Sequence, residues 1–133
     1  MLNSFWLLTA MLFMGPAYVQ QAAAPVVPAI PADAVAMTNP GKSTPESMAH
    51  AKKIYGYDCA VCHGDNGKGK GELAVQMKLS TKDWSGPGAL KGKTDGELFY
   101  IIRNGQGQMP AEGERAKPED VWSMVEMVRG FSK

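Results

Sequence analysis

Cysteine and histidine are scarce in this sequence, which has only two of each among 133 residues. Cys59 and Cys62 stand three positions apart, and His63 follows directly. A disulfide between these two cysteines would close a very small loop and add little stability. A structural zinc site needs four protein ligands, whereas the motif supplies three and His50 is the one remaining imidazole. A thioredoxin-type dithiol belongs in a βαβ context, and the sequence shows no strand pattern. The residues disfavour all three alternatives without excluding them.

Charge is almost absent from the first 41 residues, where Asp33 is the single charged side chain. Residues 5–14 are apolar but too few to span a bilayer, which takes about 20 residues. Followed by the small residues 22–24, they predict a secretory signal peptide over residues 1–24. The chain is therefore expected to be periplasmic or otherwise exported. The alternatives are a buried core helix and an uncleaved anchor, which would hold the folded domain at the inner membrane, outside the cytoplasm.

Residues 25–41 contain four prolines among mainly alanine and valine. Because proline fixes φ and removes an amide donor, we predict an extended, semi-rigid linker outside the core. The folded domain is then expected to span residues 42–133, which hold all 14 basic residues of the chain.

Helical periodicity dominates the folded domain, and no stretch of it alternates as a half-buried strand would. Ser43 with Glu46, and Thr94 with Glu97, have the capping-box spacing that begins a helix. Three helices are predicted, running from 43 toward 59, from 94 to 104 and from 118 to about 131, with a further turn or two within 73–79. The predicted fold class is all-α, a bundle of three to five helices.

Covalent haem accounts for the whole cysteine–histidine motif, because C-x-x-C-H is the attachment signature of c-type haem. Cys59 and Cys62 would bond to the two vinyl groups of the porphyrin, and His63 would bind the iron. Four glycines within residues 64–71 would let the backbone turn sharply and run close to the ring.

Met109 is the candidate ligand for the opposite face of the iron. It lies in a loop, between the glycines and glutamines of 105–108 and Pro110. Methionines on helices usually fill the core, and this is the interpretation of Met48, Met124 and Met127. Met77, 14 residues after His63, is the second candidate. A His/Met pair raises the reduction potential relative to harder ligands.

The chain resembles the class I c-type cytochromes, in particular the small bacterial monohaem type. The resemblance rests on CAVCHG (59–64), GKGKGEL (67–73), TDGELFYIIRNG (94–105), QMP (108–110) and VWSMVEMVRGF (121–131). It implies a cytochrome c-like bundle around one haem c, held by Cys59 and Cys62, with His63 and Met109 as axial ligands. Members often orient the proximal imidazole with the carbonyl of a proline soon after the motif, and none lies between His63 and Pro87.

The same resemblance implies a crossing of the first and last helices. The expected participants are Ile54, Tyr55, Trp122, Val125 and Met127.

With protein ligands on both faces the iron has no open position, so we expect a one-electron carrier and not an enzyme. The expected partners are redox proteins, such as an oxidase, a dehydrogenase or a respiratory complex, toward which four lysines would steer docking: Lys68, Lys70, Lys78 and Lys82. A net charge of +1 without a basic run gives no indication of nucleic-acid binding, and membrane contact is expected only from an uncleaved N-terminal segment. The alternative is a haem-based gas sensor or ligand-binding module in which Met109 is displaceable.

Overall fold

The structure is a computed structural model, and it describes residues 27–132. The predicted signal peptide, residues 1–24, lies outside the described residues. Within 27–132 there are six α-helices: α1 (Ala32–Ala36), α2 (Pro45–Ile54), α3 (Ala60–His63), α4 (Glu72–Gln76), α5 (Asp95–Asn104) and α6 (Pro118–Phe131). A π-helical turn, Tyr55–Cys59, joins α2 to α3. These residues contain no strand, only an isolated bridge between Gln106 and Met109. The all-α fold class is confirmed, and no helix in this part of the chain is long and apolar enough to cross a membrane.

The first predicted helix begins one residue later than expected. Thr44, not Ser43, is the N-cap of α2: its hydroxyl accepts the Ser47 amide at 3.2 Å, and Ser47 Oγ accepts the Thr44 amide at 2.9 Å. The predicted capping box of Ser43 with Glu46 is therefore wrong. The reason is Pro45, which suits the first helical position and so places the cap directly before itself. At α5 the predicted box of Thr94 and Glu97 is confirmed.

Part of the predicted linker is a helix docked on the domain. In α1, Ala34 is buried, and the Thr94 hydroxyl donates to the Val35 carbonyl at 2.8 Å. A Cβ atom at Gly96 would lie 2.0 Å from the Ala34 carbonyl oxygen, so this contact needs glycine on α5. An extended linker outside the core is thus wrong for residues 32–36. Proline is absent from these five residues, and alanine favours a helix and allows close approach.

The core lies where α2 and α5 pack against α6. Tyr55 contacts Phe131 with ring centroids 5.4 Å apart, while Trp122 stacks on Phe99 of α5 at 4.3 Å. Met127, one of the expected participants in the helix crossing, is not part of the core cluster. The aromatic partner of Tyr55 is Phe131, which was not among the expected participants. The cluster consists of Ala51, Leu90, Leu98, Phe99, Ile102, Ala116, Val121, Trp122, Met124, Val125 and Val128.

Candidate functional site

The cysteine–histidine motif lies on a short helical segment at the end of α2. Cys59 closes the π-helical turn and caps α3, which carries Cys62 and His63. Both thiols are half-buried and neither is in a disulfide. The helix stops at Gly64, whose φ of 73° is favourable only for glycine. The three residues predicted to hold the cofactor on one side are therefore brought together within two short turns.

The glycine-rich segment folds back onto this motif. A Cβ atom at Gly71 would lie 2.3 Å from the Val61 carbonyl oxygen, and one at Gly69 would lie 2.7 Å from the Thr81 carbonyl oxygen. Gly64, Gly67 and Gly69 all have positive φ, so the predicted sharp turns are confirmed. In this structure the close approach that excludes side chains is between backbone segments of the protein.

The imidazole of His63 lies against a tryptophan. Its ring stacks on that of Trp84, with centroids 4.1 Å apart and planes 21° apart. Its Nδ1 is buried and has no hydrogen-bond partner within residues 27–132, in agreement with the absence of a proline soon after the motif. Burial lowers the pKa of His63, which favours the neutral imidazole that metals bind. Sequence reasoning missed Trp84, for which the one signal is a large aromatic residue in a lysine-bearing loop.

A second contact fixes the backbone just after His63. The hydroxyl of Tyr55 donates to the Gly64 carbonyl at 2.6 Å. Tyr55 is buried, and burial raises the pKa of its hydroxyl, which keeps the donor proton in place. The backbone that follows the candidate ligand is thereby attached to the end of α2.

The surroundings of Cys59 are acidic as well as apolar. Burial, reinforced by the negative charges of Glu112 and Asp58, raises the pKa of Cys59 to about 12. Glu112 is 3% exposed; its Oε1 pairs with Arg115, which also lies 3.5 Å from Asp58 Oδ1. The sequence contains no signal for this burial, because a glutamate in a glycine- and proline-rich loop is ordinarily solvated.

The two candidate methionines differ in burial. Met109 is partly buried and packs against the core cluster, as does Trp84, the neighbour of His63. The backbone of Met109 pairs with Gln106 in both directions, at 3.1 and 3.0 Å. Met77, at the end of α4, is 57% exposed. Met109 therefore lies beside the same core as the motif, and Met77 lies at the surface.

These residues fit haem better than a protein-only metal site. Within residues 27–132 no group of three or more His, Cys, Asp or Glu could hold a metal ion, so the zinc alternative lacks its ligands in this part of the chain. The donors that are present are two free thiols, a half-buried imidazole whose pKa is lowered by burial, and a partly buried thioether. Thiols for the vinyl groups, with nitrogen and sulfur for the iron, are what a c-type haem requires.

The family model of cytochrome c oxidase, cbb3-type, subunit III matches residues 46–128. The chain belongs to this family. It is a class I c-type cytochrome, as the resemblance implied. Proteins of this type hold haem through cysteine thioethers, so the cofactor of this cytochrome is haem c, and both of the cysteines that it needs are present.

Individual relatives agree with the family match. The cbb3-type cytochrome c oxidase subunit FixP of Bradyrhizobium sp. (strain ORS 278) is 34% identical over 84 residues, which are 62% of this chain and 27% of that protein. Cytochrome c6 of Cladophora glomerata is 30% identical over 77 residues, 57% of this chain and 79% of the relative. The solved structure of the KustC0563 c-type cytochrome has a TM-score of 0.55 at 26% identity, covering 62% of this chain and 98% of that one.

The chain thus spans about 27% of the length of the FixP protein that it matches. The part in common is a cytochrome c domain, which places this protein among those that transfer electrons.

Proposed function

We propose that this cytochrome is a one-electron carrier in which Cys59 and Cys62 hold haem c covalently and His63 and Met109 are the axial ligands. The observation that carries the proposal is the placement of a half-buried imidazole, stacked on Trp84, in the same short helix as the second thiol. When bound, the haem supplies the one-electron Fe(III)/Fe(II) couple.

The protein positions the side chains that would hold the haem and keeps water away from them. The helical turns of the motif present the thiols and the imidazole together, and burial keeps His63 neutral. The paired backbone of Gln106 and Met109 holds the thioether against the core. With His63 and Met109 both binding the iron, no position would be open to a substrate, so we expect the domain to carry electrons and not to act as an enzyme itself.

The partner we propose is an acidic redox protein, such as an oxidase, a dehydrogenase or a respiratory complex. Lys68 and Lys70 line an open groove beside the motif, which also contains Val61 and the carboxylates of Asp65 and Glu72. Lys78 and Lys82 are exposed as well. Exposed apolar side chains of α3 and α4 supply contact area: Val61, Leu73 and Val75. Exposed lysines raise association rates with an acidic partner at low ionic strength, and the oxidase subunits among the relatives support an oxidase complex.

The steering by lysine is tested by measuring the electron-transfer rate with an acidic partner oxidase as salt is raised. We expect the rate to fall with ionic strength and the Lys68→Gln, Lys70→Gln double variant to be slower and less salt-dependent. A matched Lys52→Gln, Lys53→Gln variant, with both charges on α2 outside the groove, serves as the control. A rate independent of salt overturns this part of the proposal.

We also propose that the protein is exported, in agreement with the signal-like residues 1–24. Fractionation of cells that produce the full chain should place the haem protein in the periplasm. An intact N-terminal segment in the membrane fraction supports the anchor instead, and a haem-free protein in the cytoplasm contradicts export.

The ligands are tested by the absorbance of the exported protein. We expect the haem to survive acid–acetone extraction and the ferric form to show the weak far-red band of methionine ligation. Met109→Ala should abolish that band, whereas Met77→Ala should leave it unchanged. Carbon monoxide should bind the reduced wild type poorly and the Met109→Ala variant readily. Ready binding by the wild type would favour the gas sensor, and an extractable pigment would contradict covalent attachment.

A further inference from the structure

Glu112 is the one buried carboxylate within residues 27–132. The other buried polar side chain in this part of the chain, Ser123, is satisfied: its hydroxyl donates to the Glu119 carbonyl at 3.1 Å. Only one of the two carboxylate oxygens of Glu112 has a hydrogen-bond partner within the described residues. Its Oε1 accepts from Arg115, while its Oε2 is buried with no partner in the described chain. A half-satisfied buried carboxylate costs stability, so this arrangement is unexplained by folding alone.

The backbone at Glu112 is held firmly. Its amide donates to the Ile102 carbonyl at 3.0 Å, and the next amide, of Gly113, donates to the Arg103 carbonyl at 2.9 Å. Gly113 has no room for a side chain, since a Cβ atom there would lie 2.7 Å from the Arg103 carbonyl oxygen. The loop that carries Met109 is thus attached to the end of α5, and the carboxylate has a defined position.

Two ion pairs link that carboxylate to the residue before Cys59, the first cysteine of the motif. Arg115, its partner, lies 3.5 Å from Asp58, the residue immediately before Cys59. After burial, the negative charge of Glu112 is the largest influence on the pKa of the Cys59 thiol, and it acts upward. Glu112 therefore acts electrostatically on Cys59, the residue that would hold the macrocycle in the proposed function.

We propose that the buried carboxylate of Glu112, balanced by Arg115, tunes the haem by lowering its reduction potential. The inference rests on the attachment of haem at Cys59 in the proposed function, but not on Met109. The ferric haem carries one more positive charge than the ferrous haem. A negative charge in a poorly solvated environment stabilises the ferric state more, because the interaction is weakly screened. The positive charge of Arg115 opposes this effect, so it determines how far the reduction potential is lowered.

The experiment compares isosteric variants of the holoprotein by spectroelectrochemical titration. Glu112→Gln removes the charge and keeps the shape, and it should favour reduction by about three- to tenfold, tenfold being 59 mV for a one-electron couple. Arg115→Gln leaves the carboxylate unbalanced and should shift the potential in the opposite direction. Glu114→Gln is the matched control, because Glu114 is in the same loop but exposed.

The far-red band is recorded for each variant, so that a shift caused by loss of a ligand is distinguished from one caused by charge. Opposite shifts in the Glu112 and Arg115 variants, with the band retained and the Glu114 control unchanged, support the inference. A Glu112→Gln potential within the range of the control overturns it. If Glu112→Gln loses the band, Arg115→Gln decides alone, and an unchanged potential there overturns the inference. The wild-type spectrum tests the proposed function separately.

Discussion

The hydroxyl of Tyr55 donates a 2.6 Å hydrogen bond to the carbonyl of Gly64, the residue that follows the histidine of the haem-attachment motif. The ring of the same tyrosine packs on Phe131 near the end of α6. A side chain at Gly67 would meet that ring, since a Cβ atom there would lie 2.8 Å from Phe131 Cδ2. Tyr55 and Phe131 together therefore connect the haem motif, the glycine-rich loop and the helix crossing.

Tyr55→Phe should lower the free energy of unfolding of the holoprotein by about 1 kcal/mol, because the Gly64 carbonyl loses a largely buried donor. Denaturant unfolding at neutral pH measures the change. Tyr57→Phe is the control: Tyr57 is 83% exposed, and its variant should match the wild type. Equal stability of all three proteins would show that the hydrogen bond contributes nothing.

Gly96→Ala should displace α1 from the domain, because its Cβ atom would lie 2.0 Å from the Ala34 carbonyl oxygen. We expect a less stable protein in which residues 27–37 are cleaved faster by protease, as followed by mass spectrometry. Gly130→Ala on α6 is the contrast, since nothing lies within 4 Å of its Cβ position. It should stabilise by up to about 1 kcal/mol through helix propensity. Unaltered proteolysis of Gly96→Ala would contradict the docking of α1.

The capping box of α5 should make part of the stability pH-dependent. The Thr94 amide, bonded to Glu97 at 2.7 Å, and then Lys93 hold the pKa of Glu97 below its usual 4.5. A carboxyl group with a lowered folded pKa stabilises above its unfolded pKa, and the contribution disappears as the pH falls through the folded pKa.

Glu97→Gln should therefore reduce stability at pH 7 and flatten its decline below pH 4.5. Thr94→Ala, which removes the cap itself, should cost about 1 kcal/mol. Lys93→Gln removes the 2.9 Å ion pair with Glu97 and leaves the cap. It therefore separates the contribution of the ion pair to the pH dependence from that of the capping hydrogen bonds. Urea unfolding across this pH range is the measurement, and parallel pH profiles for wild type and Glu97→Gln would refute the assignment.

Haem attachment and folding should be coupled. The motif has two free thiols, and a domain of this size buries little apolar surface by itself, so the cofactor is expected to complete this part of the core. A Cys59→Ser, Cys62→Ser variant should lose most of its helical circular dichroism. Met109→Ala, which retains both thioethers, should keep it. A doubly substituted chain with full helicity and cooperative unfolding would show that the domain folds without haem.

Features that depend on neighbouring residues could be predicted from the amino-acid sequence: the C-x-x-C-H motif, the capping box of Thr94 and Glu97, and the sharp turns at the glycines. Each involves residues a few positions apart, whose types and spacing are enough to specify the local geometry. The predicted cap of α2 was wrong by one position, because two hydroxyl residues, Ser43 and Thr44, precede Pro45.

Contacts between distant parts of the chain were decided only by the tertiary structure. Ala34 meets Gly96, Trp84 covers His63, and Glu112 is carried to the neighbourhood of Cys59 by a loop attached to α5. Linear order does not reveal these contacts, because each depends on how helices pack rather than on the spacing of residues. Burial is likewise a property of the packed chain, and this is why the sequence did not reveal that a loop glutamate acts electrostatically on Cys59.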